Sequence, residues 1–242
     1  ADEPTRSIRS HPDGKGGELL IVGGEGHNAG EDGDSAAERY DALEAFSRDV
    51  LGAGEVTHRW SAHDMVTADG VPYIGPLTPV SRHVWVGTGY RKWGLTNGTA
   101  AGRILADRIV GRESPHAWLF DTKRFTPLRS APGVAKEGAK DARHFVGDRV
   151  RRIPSGRPED LEPGTGSLLK VDGEVVAASK DDDGTVHAVS AVCTHLGCRV
   201  AWNTAERTWD CPCHGSRFDP YGNVVNGPAI TPLGEVKPEG QG

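Results

Sequence analysis

Four cysteines and two histidines crowd into one short stretch of this 242-residue sequence. The stretch contains two segments, CTHLGC at residues 193–198 and CPCHGS at residues 211–216. The chain has four cysteines in all, whereas a secreted fold stapled by disulfides spreads its cysteines over the whole chain. Because thiolate and imidazole are both ligands of transition metals, the pattern indicates a metal site.

Each segment offers one Cys and one His ligand, as Cys-x-His from Cys193 and Cys-x-x-His from Cys211. Zinc accepts both ligand types, but the surroundings read as loops, with no helix bearing a pair of histidines as in a zinc finger. A tetrahedral cage of four thiolates is a second zinc alternative, formed by Cys193, Cys198, Cys211 and Cys213. Its spacing is unusual for zinc, and it leaves both histidines without a role.

The two segments together closely resemble the signature of Rieske [2Fe-2S] domains. On that resemblance, Cys193 and Cys211 bind one iron, and His195 and His214 bind the other. Imidazole donates less negative charge than thiolate, so such clusters have potentials of roughly -150 to +300 mV, against about -400 mV for plant-type centres. The resemblance implies an all-β electron-transfer domain over residues 148–242.

The remaining two cysteines match a pair that forms a disulfide in the Rieske proteins of respiratory and photosynthetic cytochrome complexes. Ring-hydroxylating oxygenases usually lack this pair. The resemblance therefore implies a Cys198–Cys213 disulfide between the cluster loops, even in a cytoplasmic protein, with two free thiols as the alternative.

The resemblance also assigns residues around the cluster: Leu196, Pro212, Ser216, Phe218 and Pro228. Leu196 and Pro212 are expected to shield the cluster from water, and residues 227–229 resemble the proline loop that covers it. Ser216 matches the serine whose hydroxyl donates to a bridging sulfide in high-potential members. Those members have a tyrosine two residues later, where this chain has Phe218, so a lower potential is expected.

A second resemblance rests on residues 84–98, VWVGTGYRKWGLTNG, which combine a strand, glycines and a helix start. With residues 69–76, they resemble the C-terminal part of FAD-dependent amine oxidoreductases of the D-amino-acid oxidase and glycine oxidase type. In that family the helix N-terminus stabilises negative charge on the reduced flavin. The resemblance implies that four residues bind the cofactor, Gly89, Gly94, Leu95 and Thr96. The alternative is an unrelated α/β domain with a glycine-rich turn.

The dinucleotide-binding unit of that family opens with Gly-x-Gly-x-x-Gly. Residues 23–30 are glycine-rich, but the expected helix and ribose-binding acid do not follow them in the expected context. The chain therefore resembles the last half of a flavoprotein followed by a complete Rieske domain. The missing N-terminal flavoprotein half is expected to be a separate chain or to be absent, and this chain alone is expected to bind FAD weakly or not at all.

We predict an α+β fold with three parts: a partial FAD-dependent oxidoreductase α/β domain at 1–125, a linker at 126–147 and an all-β Rieske domain at 148–242. The linker prediction follows from the Ala, Gly, Pro and Lys content of the segment. The predicted elements are a buried strand at 17–24, a helix at 35–52 with a Ser35–Glu38 capping box, a strand at 83–86, a helix from Asn97 to Gly111, a hairpin of 167–171 and 174–178 about Asp172-Gly173, and a strand at 185–192.

The formal net charge of -6 does not favour nucleic acid as a partner. The sequence predicts no transmembrane segment, because no apolar run approaches the roughly 20 residues required, and we expect a cytoplasmic protein. Our hypothesis is an oxidoreductase that passes electrons from a small amine or amino acid to FAD, then singly through the cluster to an external acceptor. The alternatives are a ferredoxin-like component, or a structural or redox-sensing module without flavin turnover. The sequence identifies no catalytic residue.

Overall fold

The computed structural model describes residues 5–30, 35–124, 126–150 and 152–236. The chain divides into two compact units, and the division does not follow the order of the sequence. Unit 1 combines Ala1–Ser61 with Asp141–Gly242, whereas unit 2 is Ala62–Lys140. Along the described residues, no helix is both long enough and apolar enough to cross a lipid bilayer.

Unit 1 begins with a hairpin and a helix, namely β1 (Ser7–Pro12), β2 (Glu18–Gly23) and α1 (Ser35–Leu51). The hairpin turn is held by Asp13, whose carboxylate accepts backbone N–H groups of Lys15 and Gly17. The strand predicted at 17–24 forms as β2, but the prediction that it is buried was wrong. Within the described chain β2 pairs with β1 alone, and Leu20 is 42% exposed. Helix α1 ends at Leu51, and Gly52 directly after it has a φ of +64°, which suits a glycine terminator.

The rest of unit 1 holds two antiparallel sheets. The first contains β5 (Gly166–Val171), β6 (Glu174–Lys180) and β7 (Val186–Ser190). The second contains β8 (Ala201–Asn203), β9 (Thr208–Asp210), β10 (Arg217–Phe218) and β11 (Val224–Asn226). The predicted hairpin of β5 and β6 is confirmed, and its turn residues Asp172 and Gly173 both have positive φ, as a type I′ turn requires.

The three-stranded sheet is covered on both faces, which is visible along β6. Ala177 belongs to the main core with Trp209 and Phe218, whereas its neighbours Val176 and Ala178 belong to a second apolar cluster. This is the alternation expected of a strand, because successive side chains point to opposite faces. The main core also contains Cys193 and Cys211, the two predicted thiolate ligands, together with Cys198.

Unit 2 contains β3 (Tyr73–Pro76), β4 (Trp85–Thr88), α2 (Gly94–Ile109) and most of α3 (Pro127–Val150). Its core is small, with Ile74, Ala101 and Ile104 buried together. Helix α2 starts at Gly94, three residues before the predicted Asn97. No side chain caps this start.

A buried ion pair holds the loop before β3. The guanidinium of Arg124 donates to the Asp69 carboxylate at 2.7 and 2.8 Å and to the carbonyls of Val71 and Pro72. It also stacks over the Tyr73 ring at 3.7 Å. The hydrogen bonds from Arg124 hold the pKa of the Asp69 carboxyl well below its usual value.

The segment predicted as a linker is helical. Residues 127–150 form α3, although Pro132 and three glycines lie inside it. Gly133 allows a close approach to the backbone of Ala68, because a Cβ at position 133 would lie 2.8 Å from the Ala68 carbonyl oxygen. The domain boundaries given above stay predictions.

Candidate metal centre

The first predicted ligand loop, residues 193–198, closes a short hairpin whose flanking residues form an antiparallel bridge. The N–H of Cys193 donates to the carbonyl of Cys198 at 2.8 Å, and the N–H of Gly197 donates back to the carbonyl of Cys193 at 3.0 Å. Gly197 has a φ of +79°, a conformation that glycine adopts without a steric penalty.

The second loop, residues 211–216, repeats this design at the end of the β9–β10 hairpin. The N–H of Cys211 donates to the carbonyl of Ser216 at 2.8 Å, and the N–H of Gly215 donates to the carbonyl of Cys211 at 2.9 Å. Gly215 has a φ of +77°. The two loops thus share their hydrogen bonds and the position of their glycine, and each carries one of the predicted Cys ligands and one of the predicted His ligands.

Two thiols, those of Cys193 and Cys211, are buried and free of disulfides. The neighbouring Cys211 thiol has the largest effect on Cys193, and it lowers the pKa of Cys193. Burial opposes that effect, while the backbone N–H of His195 and the hydroxyl of Ser216 add to it. The same contact raises the pKa of Cys211, whose sulfur also accepts two N–H groups of its own loop. The pair is thus surrounded by donors that favour thiolate.

The predicted disulfide is confirmed: Cys198 and Cys213 are bonded and tie the two loops together. The sulfur of Cys211 lies close beside it, since the three sulfur atoms are within 4.8 Å of one another. The four-cysteine zinc cage is excluded, because sulfurs in a disulfide cannot act as thiolate ligands.

The two histidines lie together at the exposed end of the loops. The rings of His195 and His214 are 4.8 Å apart, centroid to centroid, and nearly perpendicular. The Nε2 atom of His214 lies 3.5 Å from a carboxylate oxygen of Asp141, on α3. The sequence carried no sign of this neighbour, since α3 had been predicted as a linker.

Two family profiles match the chain in succession. The profile of the Rieske [2Fe-2S] domain matches residues 151–237. The profile of the FAD dependent oxidoreductase matches residues 2–108.

The curated relatives are named as iron-sulfur proteins. The iron-sulfur subunit 2 of the cytochrome b6-f complex from Trichormus variabilis is 37% identical over 52% of this chain and 69% of its own length. The chain belongs to the Rieske [2Fe-2S] family.

Two further relatives of this Rieske protein are covered over about half their length. A Bacillus subtilis protein, YhfW, named as a Rieske 2Fe-2S iron-sulfur protein, is 36% identical over 97% of this chain and 46% of its own. The cytochrome b6-f iron-sulfur subunit 1 of Cyanophora paradoxa is 43% identical over 52% of each chain. A Rieske domain implies a [2Fe-2S] cluster, and the oxidoreductase domain implies FAD.

The residues present fit such a cluster. Two free thiols and two imidazoles are the donor set of a Rieske centre, and the loops bring both pairs together with the disulfide cysteines outside that set. The N–H and O–H donors at the sulfurs are of the kind that tunes a metal site from outside its ligands.

The residues predicted to surround the cluster differ in exposure. Ser216 and Phe218 are completely buried and Pro212 is buried, whereas Leu196 is 60% exposed and Pro228 is exposed. The proline loop is fastened to both ligand loops. Its Ala229 N–H donates to the Ser216 hydroxyl, and its Thr231 carbonyl accepts the Thr194 hydroxyl.

The predicted flavin residues lie in unit 2: Gly89 directly follows β4, and Gly94, Leu95 and Thr96 form the N-terminal turn of α2. No side chain caps this end of the helix. The space around Gly94 is open, and Leu95 is 83% exposed. Exposed backbone N–H groups and open space at Gly94 fit the approach of a flavin edge. The packing of the protein itself explains why position 89 is a glycine, since a Cβ there would lie 2.3 Å from the Thr67 methyl.

Proposed function

We propose that Cys193 and Cys211 hold one iron of the cluster and that His195 and His214 hold the other. The observation that carries this proposal is the division of the site: a buried pair of free thiols faces an exposed pair of imidazoles. Buried thiolates exclude water from one side of the cluster. Exposed imidazoles leave the other side within reach of a redox partner.

The chain carries a Rieske electron-transfer domain and an FAD-dependent oxidoreductase domain. We propose that the intact protein takes a hydride from a small amine or amino acid onto FAD, with Gly89, Gly94, Leu95 and Thr96 at the cofactor. The missing flavoprotein half supplies the remaining cofactor contacts. A cytoplasmic location stays a prediction.

We propose that electrons then leave singly through the cluster to an external acceptor. Such a cluster, when bound, takes up and releases one electron at a time. The exit would be at His195 and His214, where Leu196 and Ile230 add exposed apolar surface. Apolar surface around a redox group suits brief docking of another protein.

The ligand assignment is tested by metal analysis of the purified chain and three variants. Wild type should contain about two irons and two acid-labile sulfides with no zinc, as a Rieske centre requires. Cys193→Ser should lose the brown colour, and His214→Cys should lose it or give the spectrum of a different cluster type. His58→Cys places the same new thiol at an exposed site and should match wild type. A Rieske spectrum retained in Cys193→Ser would refute the assignment.

The coupled reaction is tested in the intact protein with its flavin half. The flavin is reduced anaerobically with candidate amines and amino acids, while the EPR signal of the reduced cluster is followed. The proposal expects the signal to grow as the flavin is reduced. Reduced flavin with a silent cluster would reject coupling and leave the domain as a structural or sensing module.

A further inference from the structure

Residues of the flavoprotein-like part belong to the same compact unit as the Rieske domain. Ala1–Ser61, inside the region matched by the oxidoreductase profile, pack in unit 1 with Asp141–Gly242. The two family profiles therefore do not mark two separately packed bodies. The contacts that join them reach β9 and the residues on either side of it, directly before and within the second ligand loop.

The closest of these contacts is made by Gly30. Its φ is +75°, and a Cβ built on it would lie 2.6 Å from the Pro212 nitrogen. The same Cβ would lie 2.8 Å from the carbonyl carbon of Cys211 and 2.9 Å from the carbonyl oxygen of Asp210. All three are backbone atoms, so no side chain can swing away. Any larger residue at position 30 must move the second ligand loop or be moved by it.

A cleft beside Gly30 continues the contact. One wall is formed by His27, Gly30 and Ala36, and the other by residues 201–203 of β8 together with Asp210. Ala36, on the first turn of α1, is 3% exposed. The start of α1 is thus packed against the sheet that carries the second loop.

Polar contacts reach the same strand by another route. In the turn between β8 and β9, the Glu206 carboxylate accepts hydrogen bonds from the hydroxyls of Tyr40 and Ser61. Burial raises the pKa of Glu206, but these hydrogen bonds and the charge of Arg217 outweigh it and lower the pKa overall. Glu206 is therefore a fixed anion that binds α1 and its following segment to the Rieske domain.

Arg217 carries this connection to the ligand loop. Its guanidinium lies 3.5 Å from Glu206 and donates to the Asp210 carboxylate at 3.1 Å. Asp210 also accepts hydrogen bonds from Asn203 and Thr208 and is 3% exposed. Since Asp210 directly precedes Cys211, a displacement of Tyr40 or Glu206 is passed to the ligand through directional contacts, of which those at Asp210 are buried.

We propose that Gly30 is a positioning residue for the Cys211 loop, and that Tyr40 supports the same loop through Glu206. The inference rests on the proposed ligand set. Through these contacts the flavoprotein-like segment sets the geometry of the electron-transfer centre, in addition to any role in binding flavin. Small displacements of a ligand and its N–H donors alter the energy of the reduced cluster.

The test compares Gly30→Ala with Gly14→Ala in the full chain. Gly14 has a φ of +74° and no atom within 4 Å of a built Cβ, so both variants carry the same backbone strain. The strain of positive φ should cost both variants similar stability, and Gly30→Ala carries the backbone clash in addition. Only Gly30→Ala should shift the g-values and the midpoint potential of the cluster. Identical spectra and potentials in Gly30→Ala and wild type, at equal iron content, would overturn the proposal.

A second pair of variants removes a hydroxyl without touching the backbone. Tyr40→Phe deletes the hydrogen bond to Glu206, and Tyr221→Phe deletes one to Asp181 on the far turn between β6 and β7. We expect Tyr40→Phe to shift the midpoint potential by less than Gly30→Ala does, and Tyr221→Phe to leave it unchanged. An equal response of the two would refute the route through Glu206. A wild-type chain without iron and sulfide would instead refute the ligand set.

Discussion

The backbone N–H of Ala229 donates a hydrogen bond to the hydroxyl oxygen of Ser216 at 2.9 Å, and both residues are buried. The same hydroxyl also acts on the sulfur of Cys193, where it lowers the pKa of the thiol. One side chain therefore joins the proline loop, the second ligand loop and a ligand of the first.

Ser216→Ala removes both interactions at once. The Ala229 N–H is left buried without its acceptor, which costs about 1–3 kcal/mol of unfolding free energy. The midpoint potential should fall, because the sulfur loses a donor that stabilises added negative charge. Denaturant unfolding and potentiometry measure the two effects. Ser190→Ala, which removes an acceptor from the exposed N–H of Val192, should change neither by a comparable amount.

Phe218→Tyr adds the hydroxyl that high-potential Rieske proteins have at this position. If the new hydrogen bond strengthens by about 1 kcal/mol when the cluster is reduced, the midpoint potential rises by roughly 40 mV. Redox titration followed by EPR measures the change. Phe218 is completely buried in the main core, so the thermal unfolding midpoint is recorded as well. A potential equal to or below that of wild type would contradict the expected role.

Replacing both Cys198 and Cys213 by serine removes the covalent tie between the ligand loops. The disulfide joins residues 15 apart in sequence, and closing a loop of that length contributes about 3 kcal/mol. We expect lower stability and faster loss of iron to a chelator, since the loops separate more readily. An unchanged rate of iron release would show that the hydrogen bonds alone hold the loops.

Asp69 makes the stability of unit 2 dependent on pH. Its pKa is lower in the folded state than the ordinary value of about 3.9 in an unfolded chain. The stabilisation is therefore complete above about pH 4 and is lost as the pH falls towards the folded-state pKa. Asp69→Asn leaves Arg124 buried without its counter-charge and should cost about 3–5 kcal/mol at pH 7. Unfolding of both proteins between pH 7 and pH 3 should show this difference shrinking in acid.

Local signals in the sequence predicted the parts of the site that lie close together along the chain. The spacing of Cys193 and Cys211 with their histidines identified both loops, and the turn pair Asp172-Gly173 identified the β5–β6 hairpin. Helix α1 was predicted from its apolar spacing and from Gly52 at its end. In each case the decisive interactions span only a few residues.

The remaining features depend on contacts or on weak signals. The segment of α3 was predicted as a linker. Its alanines favour a helix, but they provide no broad apolar stripe, and Pro132 is unfavourable inside a helix. Strand β1 was missed because all six of its residues are exposed. The Tyr40–Glu206 contact joins residues 166 apart, and no spacing rule connects them.

Unit 1 is closed by contacts between early and late parts of the polypeptide, which has a consequence for its biogenesis. At roughly 5–20 residues per second, the ribosome needs about 8–33 s to advance the 166 positions from Tyr40 to Glu206. During that interval the sheet that covers Ala36 does not yet exist. The face of α1 that this sheet buries in the folded unit therefore lacks that partner until the second ligand loop has been synthesised.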